Sequence, residues 1–228
     1  MCGIVGVFVQ DPGLEPQLGA LLVPMLEALT GRGPDSTGVA IYPALGQPVE
    51  VVKDIGPAAE VCQRYGIAGR SGYQGIGHTR MATESAVTPG HSHPFCPAPQ
   101  VCVVHNGSFS NHASVRRRLE ADGVTFDTDN DSEVAARFLG SRLAGGDDLE
   151  ESMRSVQKSF DGFFTLLVTT ATQFAVMRDD FACKPAVVAE TDRYVAMASE
   201  YQALADLPGI ADAGVFEPAP GEIYAWTR

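Results

Sequence analysis

A cysteine at position 2 has a chemical option closed to interior cysteines: removal of Met1 would put a free α-amine on the residue that carries the thiol. With a reference pKa of about 7.7–8.0 that amine can take the thiol proton near neutrality, so nucleophile and base would be one residue. Position alone favours a plainer reading, an inert cysteine opening a buried strand. Four polar clusters further along change the balance. Arg32 to Gly38 leads from a helical stretch into a strand; Gly77 to Thr83 is followed by His91 to Phe95; Val104 to Gly107 ends an apolar run; Thr128 to Glu133 precedes a helix. Singly, Arg80 reads as a surface ion-pair partner, Asp131 as a helix cap, and Asn106-Gly107 as a turn. His91 and His93 lack further ligands at metal-binding spacing, and Asp127, Asp129 and Asp131 fail the calcium-loop template, because Ser132 and Phe138 replace its glycine and glutamate. Neither a Walker loop nor G-x-G-x-x-G is present, and Arg116 to Arg118 read as a solvated helix face.

The elements that must hold these clusters are mostly short strands. Apolar runs at 4–9, 37–42, 49–53, 101–105, 163–170, 174–177, 186–189, 194–198 and 223–226 predict strands, most joined by turns, so the pairing should be antiparallel. Leu18, Leu21, Leu22, Met25, Leu26 and Leu29 share a helical face with Gly31 beyond it and Pro24 as a kink. Ser132 is expected to cap a second helix through Leu139; Leu149, Met153, Val156 and Phe160 mark a third. Strands at both ends and helices between them predict an α+β layered fold.

The 228 residues suit one domain, 1–228, with 45% hydrophobic and 19% charged residues. Against 16 basic residues stand 28 acidic ones, a net charge of −12 that disfavours nucleic acid and anionic membranes. No apolar run approaches the ~18 residues of a membrane span, so a soluble, cytoplasmic protein is expected. Five cysteines without C-x-x-C spacing are read as free thiols in a reducing compartment.

The order of the motifs carries more than any one of them. Met1-Cys2-Gly3-Ile4-Val5-Gly6, Arg32-Gly33-Pro34-Asp35-Ser36, Gly77-His78-Thr79-Arg80, His105-Asn106-Gly107 and Asp131-Ser132-Glu133 together resemble the class II glutamine amidotransferase domain of the N-terminal nucleophile hydrolases. The likeness continues through Phe160-Asp161-Gly162-Phe163, Arg178-Asp179, Lys184-Pro185, Ala198-Ser199-Glu200 and Pro220-Gly221-Glu222-Ile223. It implies a four-layer αββα sandwich of two antiparallel sheets between helices. Cys2 would be the nucleophile, Asn106 and Gly107 the oxyanion donors, Arg80 the clamp on the substrate carboxylate and Asp131 the acid for its ammonium. Thr83 and His93 complete the substrate-binding set, with no metal. Met81 and Glu84 depart from sugar-phosphate and purine relatives, which carry an aromatic residue and, in the sugar-phosphate enzymes, a histidine there.

The strings around 32–38 and 77–85 most resemble the small amidotransferase-type subunit of split, glutamate-synthase-like enzymes such as N-methylglutamate synthase. That likeness implies a hetero-oligomer whose ligand is glutamine or glutamate. It implies no cofactor in this chain, with FMN and an iron–sulfur cluster on partner subunits. A non-catalytic assembly subunit and a stand-alone small-amide hydrolase are the competing readings.

Overall fold

The protein, seen in a computed structural model, is described over residues 1–82 and 86–228. In chain order its strands are β1 (Gly3–Val9), β2 (Ser36–Tyr42), β3 (Glu50–Ile55), β4 (Gln74–Arg80), β5 (Phe95–Ala98), β6 (Val101–Phe109), β7 (Gly162–Thr169), β8 (Gln173–Arg178), β9 (Val187–Glu190), β10 (Tyr194–Ala198), β11 (Gly214–Phe216) and β12 (Ile223–Thr227). The helices are α1 (Leu18–Ala28), α2 (Ala58–Arg64), α3 (His112–Ala121), α4 (Asp131–Ala144) and α5 (Leu149–Ser159). Among the described residues, one sheet runs β11-β9-β10-β1-β4-β2-β3 and the other β12-β8-β7-β6-β5. Every strand pair in both is antiparallel.

Three hydrophobic cores separate four layers. On β1, Val5, Val7 and Val9 meet Leu22, Met25 and Leu26 of α1, while Ile4 and Phe8 point the other way, against Leu167, Phe174 and Val176 of the second sheet. A strand covered on both faces reads as a continuous apolar run, and that is why Ile4 to Val9 lacks polar alternation. The third core sets Phe109, Phe164 and Leu166 against Val134 and Leu139 of α4 and Met153 and Val156 of α5. Each fully buried side chain of this size contributes ~1.5–3 kcal/mol.

Several elements depart from the sequence expectation. Gln74 to Arg80 is a central strand that no apolar run marks; it carries two glycines and few strand-favouring residues, and a Cβ at Gly75 would lie 2.5 Å from Leu22 Cδ1 of α1, so glycine lets the helix pack close. α2, α3, β5 and β11 were also unmarked by periodicity. Asn130, not Ser132, caps α4: its side chain accepts from the Ser132 backbone N–H at 2.9 Å. Cys96 and Cys102 form a disulfide across the β5–β6 hairpin, against the expectation of five free thiols; Cys2, Cys62 and Cys183 remain free. Their six-residue separation carries no C-x-x-C signature, and the pairing becomes visible only once the hairpin register is known.

Candidate active site

Cys2 stands just ahead of β1, flanked by β4 on one side and β10 on the other. Its carbonyl accepts from Arg32 Nε at 2.9 Å, and Arg32 in turn forms an ion pair with Glu200, the residue after Ser199. Ser199 Oγ accepts from the Ile4 backbone N–H at 2.9 Å. Three segments far apart in sequence, around Arg32, along β4 and from β10 to Glu200, therefore fix the backbone beneath the thiol. Burial pushes the Cys2 thiol up from its ordinary value, with the nearby Arg80 and Arg32 charges opposing, so the sulfur needs a local base to act as a nucleophile at neutral pH.

Arg80 ends β4, is 4% exposed, and donates from Nη1 to the Ala86 carbonyl at 2.9 Å. Asp35 organises the neighbouring segment: its backbone N–H donates to the Arg80 carbonyl and its carboxylate accepts from Ala82 N–H at 2.8 Å. The opposite wall comes from the second sheet and α4. Asn106 and Gly107 lie on β6 in register with Thr165 and Phe164. Gly107 has φ +151°, and a Cβ there would sit 2.0 Å from the Phe163 carbonyl oxygen, so only glycine fits. Asn106 is 2% exposed, and its Nδ2 has no hydrogen-bond partner among the described residues. A buried amide donor left unpaired costs about 1–3 kcal/mol, so it is a donor awaiting an acceptor.

Asp131 opens α4, and its Oδ2 accepts from Phe109 N–H at 2.9 Å. The loop before it is held by Glu133, whose carboxylate accepts from the backbone N–H groups of Asp127 and Thr128 and from Thr128 Oγ1. Burial alone would raise the Glu133 carboxyl, yet these bonds and Arg137 together bring it below its usual value. Ser132 Oγ lies 2.7 Å from His105 Nδ1, tying α4 to the strand residue next to Asn106. The outcome is one cavity of about 350 Å³ whose walls include Cys2, Arg80, Gly107 and Asp131, with His93 and His105. Arg116, expected on a solvated face, instead donates to the Thr128 carbonyl at 2.7 Å and lies over the Phe126 ring.

Of the expected site residues, Thr83 lies outside the described residues, as does Glu84. His93 reaches the cavity as part of a buried cluster, stacked on His78 at 4.0 Å between ring centroids; His78 Nε2 meets the His105 carbonyl at 3.0 Å, linking the two sheets. His91, apart from them, contacts Thr88 Oγ1 and Asp129. Among the described residues no group of His, Cys, Asp and Glu is placed to hold a metal. Sequence reading missed Arg32, Glu133 and Ser199 as supports, although each sits inside a motif it had marked.

Burial drives the His78 pKa down to about 3, pushes His93 well below the ordinary histidine value, and lowers His105. Unfolded, each would titrate near 6.5. Below that pH the unfolded chain holds more protons than the native one, so the stability these rings contribute is fully present above pH 6.5 and is lost as pH falls, for His78 down to about 3. The expected slope is about 1.4 kcal/mol per pH unit for His78 over that range, with His93 and His105 acting in the same direction. Urea midpoints measured from pH 7 to 4.5 should fall steeply, and a flat profile would contradict neutral buried rings.

Comparison with known proteins agrees with this geometry. A family model described as "Glutamine amidotransferase domain" matches residues 78–206. The glutamine amidotransferase-like protein GlxB of Rhizobium meliloti is 41% identical over 99% of this chain and 98% of its own length. A glutamine–fructose-6-phosphate aminotransferase of Pseudomonas aeruginosa is 35% identical over 76% of the chain, which spans 27% of that enzyme. In structure, the glutamine phosphoribosylpyrophosphate amidotransferase of B. subtilis superposes with a TM-score of 0.83 at 23% identity, covering 99% of this chain and 47% of its own. The two stacked antiparallel sheets between helices are the fold of that amidotransferase's matching region. The chain belongs to the class II glutamine amidotransferases.

Proposed function

We propose that this chain is the glutaminase subunit of a multi-subunit, glutamate-synthase-like enzyme of the N-methylglutamate synthase type. The observation that supports it is the convergence of Cys2, Arg80, Gly107 and Asp131 on one cavity whose walls carry both charges of an α-amino acid clamp. With Met1 removed, the Cys2 amine takes the thiol proton and Sγ attacks the glutamine side-chain amide carbon. The oxyanion is received by Asn106 Nδ2 and the Gly107 backbone N–H. The protonated amine then gives its proton to the leaving nitrogen, ammonia departs, and water hydrolyses the glutamyl thioester to glutamate. Met1 lies outside β1 and is 60% exposed, so its loss takes nothing from the sheet.

Arg80 grips the substrate carboxylate with its planar fork and Asp131 meets the ammonium, positions that set where the amide lands. Arg80→Lys should raise KM for glutamine by roughly 10-fold or more with a smaller change in kcat, because a point charge cannot replace a bidentate clamp. Steady-state kinetics with glutamine would show an unchanged KM if the clamp were elsewhere. Partner subunits carry the FMN and the iron–sulfur cluster, as well as the acceptor chemistry. The decisive test is glutamate formation from glutamine by the mature chain, alone and with co-purified partners, alongside its intact mass. Retention of Met1, or no glutamate in either state, would sink the proposal.

A further inference from the structure

Away from the glutamine cavity, the turn after β8 holds an aromatic ring out in water on backbone that is tied down. Phe181 is 74% exposed and meets Phe163, itself 49% exposed, edge-on with ring centroids 5.4 Å apart. Beneath them Asp179, buried, accepts from the backbone N–H groups of Phe164 and Phe181 at 2.8 Å and of Ala182 at 3.2 Å. Arg178, also buried, donates to the Ala182 and Pro218 carbonyls. Ala182 has φ +49°, a left-handed conformation that a β-carbon disfavours. The fold thus maintains local strain and two buried charged side chains bonded to backbone at the base of a side chain that buries little of itself.

A cleft of about 470 Å³ lies alongside the two rings, with Asp161, Asp179 and Asp180 in its walls and no lysine or arginine among its described lining residues. Its wall is continuous with the glutamine cavity through Ser108, which borders both. Ser108 pairs with Phe163 in the β6–β7 register, one step from the Gly107–Phe164 pair.

We propose that the Phe163–Phe181 face is the docking site for a second, different protein chain, which seats an apolar side chain against the paired rings and places lysine or arginine against Asp161 and Asp180. Naming that chain as the ammonia-using subunit rests on the function proposed above; the surface chemistry does not. Exposed, adjoining aromatics mark interfaces, and aromatic anchors dominate their energetics. The acidic rim selects a basic partner. It also disfavours a second copy of this chain, which would bring the same carboxylates together in a protein of net charge −12.

The experiment pans the whole immobilised chain against a displayed library of random short peptides, then measures a synthetic winner by calorimetry on the wild type and on Phe181→Ser and Phe163→Ser. The expected winners carry an aromatic or aliphatic centre flanked by lysine or arginine. Their affinity should drop at least about tenfold on either variant and weaken with salt, while glutaminase kcat stays at the wild-type value. Failure to enrich any peptide, winners without basic flanks, or equal affinity for the variants overturns the proposal. So does a wild-type dimer in sedimentation velocity that Phe181→Ser dissolves, since the occupant would then be a second copy. Absence of glutaminase activity in the wild type would instead count against the proposed function, leaving the peptide result readable on its own.

Discussion

Cys2→Ala should abolish glutamate release from glutamine, lowering kcat on the order of 10⁴-fold or more, the scale set by losing a nucleophile whose partners act only through it. The remaining cavity still holds Arg80, Asp131 and Gly107, so the variant should bind glutamine while failing to turn it over. Stability should change little, because Cys2 precedes β1 and is only partly buried, and because its carbonyl, which Arg32 holds, is unaffected by the side chain. Equal thermal midpoints together with lost turnover would assign the loss to chemistry. Unchanged glutamine-dependent turnover in the assembled enzyme would instead move this chain into a supporting role.

Asn106→Ala separates function from stability more sharply. Removing one oxyanion donor costs about 2.7–4 kcal/mol of transition-state stabilisation, a kcat loss of roughly 10²–10³. Yet the native protein should lose little or no stability, since the substitution also deletes a buried, unpartnered N–H group whose burial costs about 1–3 kcal/mol. That saving offsets the small cavity left behind. Kinetics and urea melts on the same preparation test both halves; a variant that is strongly destabilised yet retains kcat would show that Asn106 is a packing residue.

How much of this was legible in the sequence depended on how each residue does its work. β1 and β10 announce themselves because strands buried on both faces must be apolar throughout. β4 does not, since its glycines serve the close approach of α1 and its polar residues serve the site, and both erase the alternation that marks a strand. Cys2, Arg80, Gly107 and Asp131, which border one cavity, lie in motifs that speak only as an ordered set, since none of them is informative singly. Their supports were not legible even so. Arg32 acts on the Cys2 carbonyl, Glu133 on backbone N–H groups of its own loop, and Ser199 on Ile4, and bonds to backbone leave no complementary residue type to find. The Cys96–Cys102 pair was hidden for a related reason, as it depends on the hairpin that brings β5 beside β6.

The clamp of Arg32, Ser199 and Glu200 on the segment Cys2–Ile4 also has a meaning in time. During synthesis, Cys2 emerges long before β10 and the two residues after it exist, and local contacts cannot supply what those residues provide. β1 must wait between two strands that are made later, one of them near residue 195. A partly made chain therefore carries the thiol without the seat that aims it. The backbone beneath the thiol is fixed only once nearly all of the domain has been translated and closed.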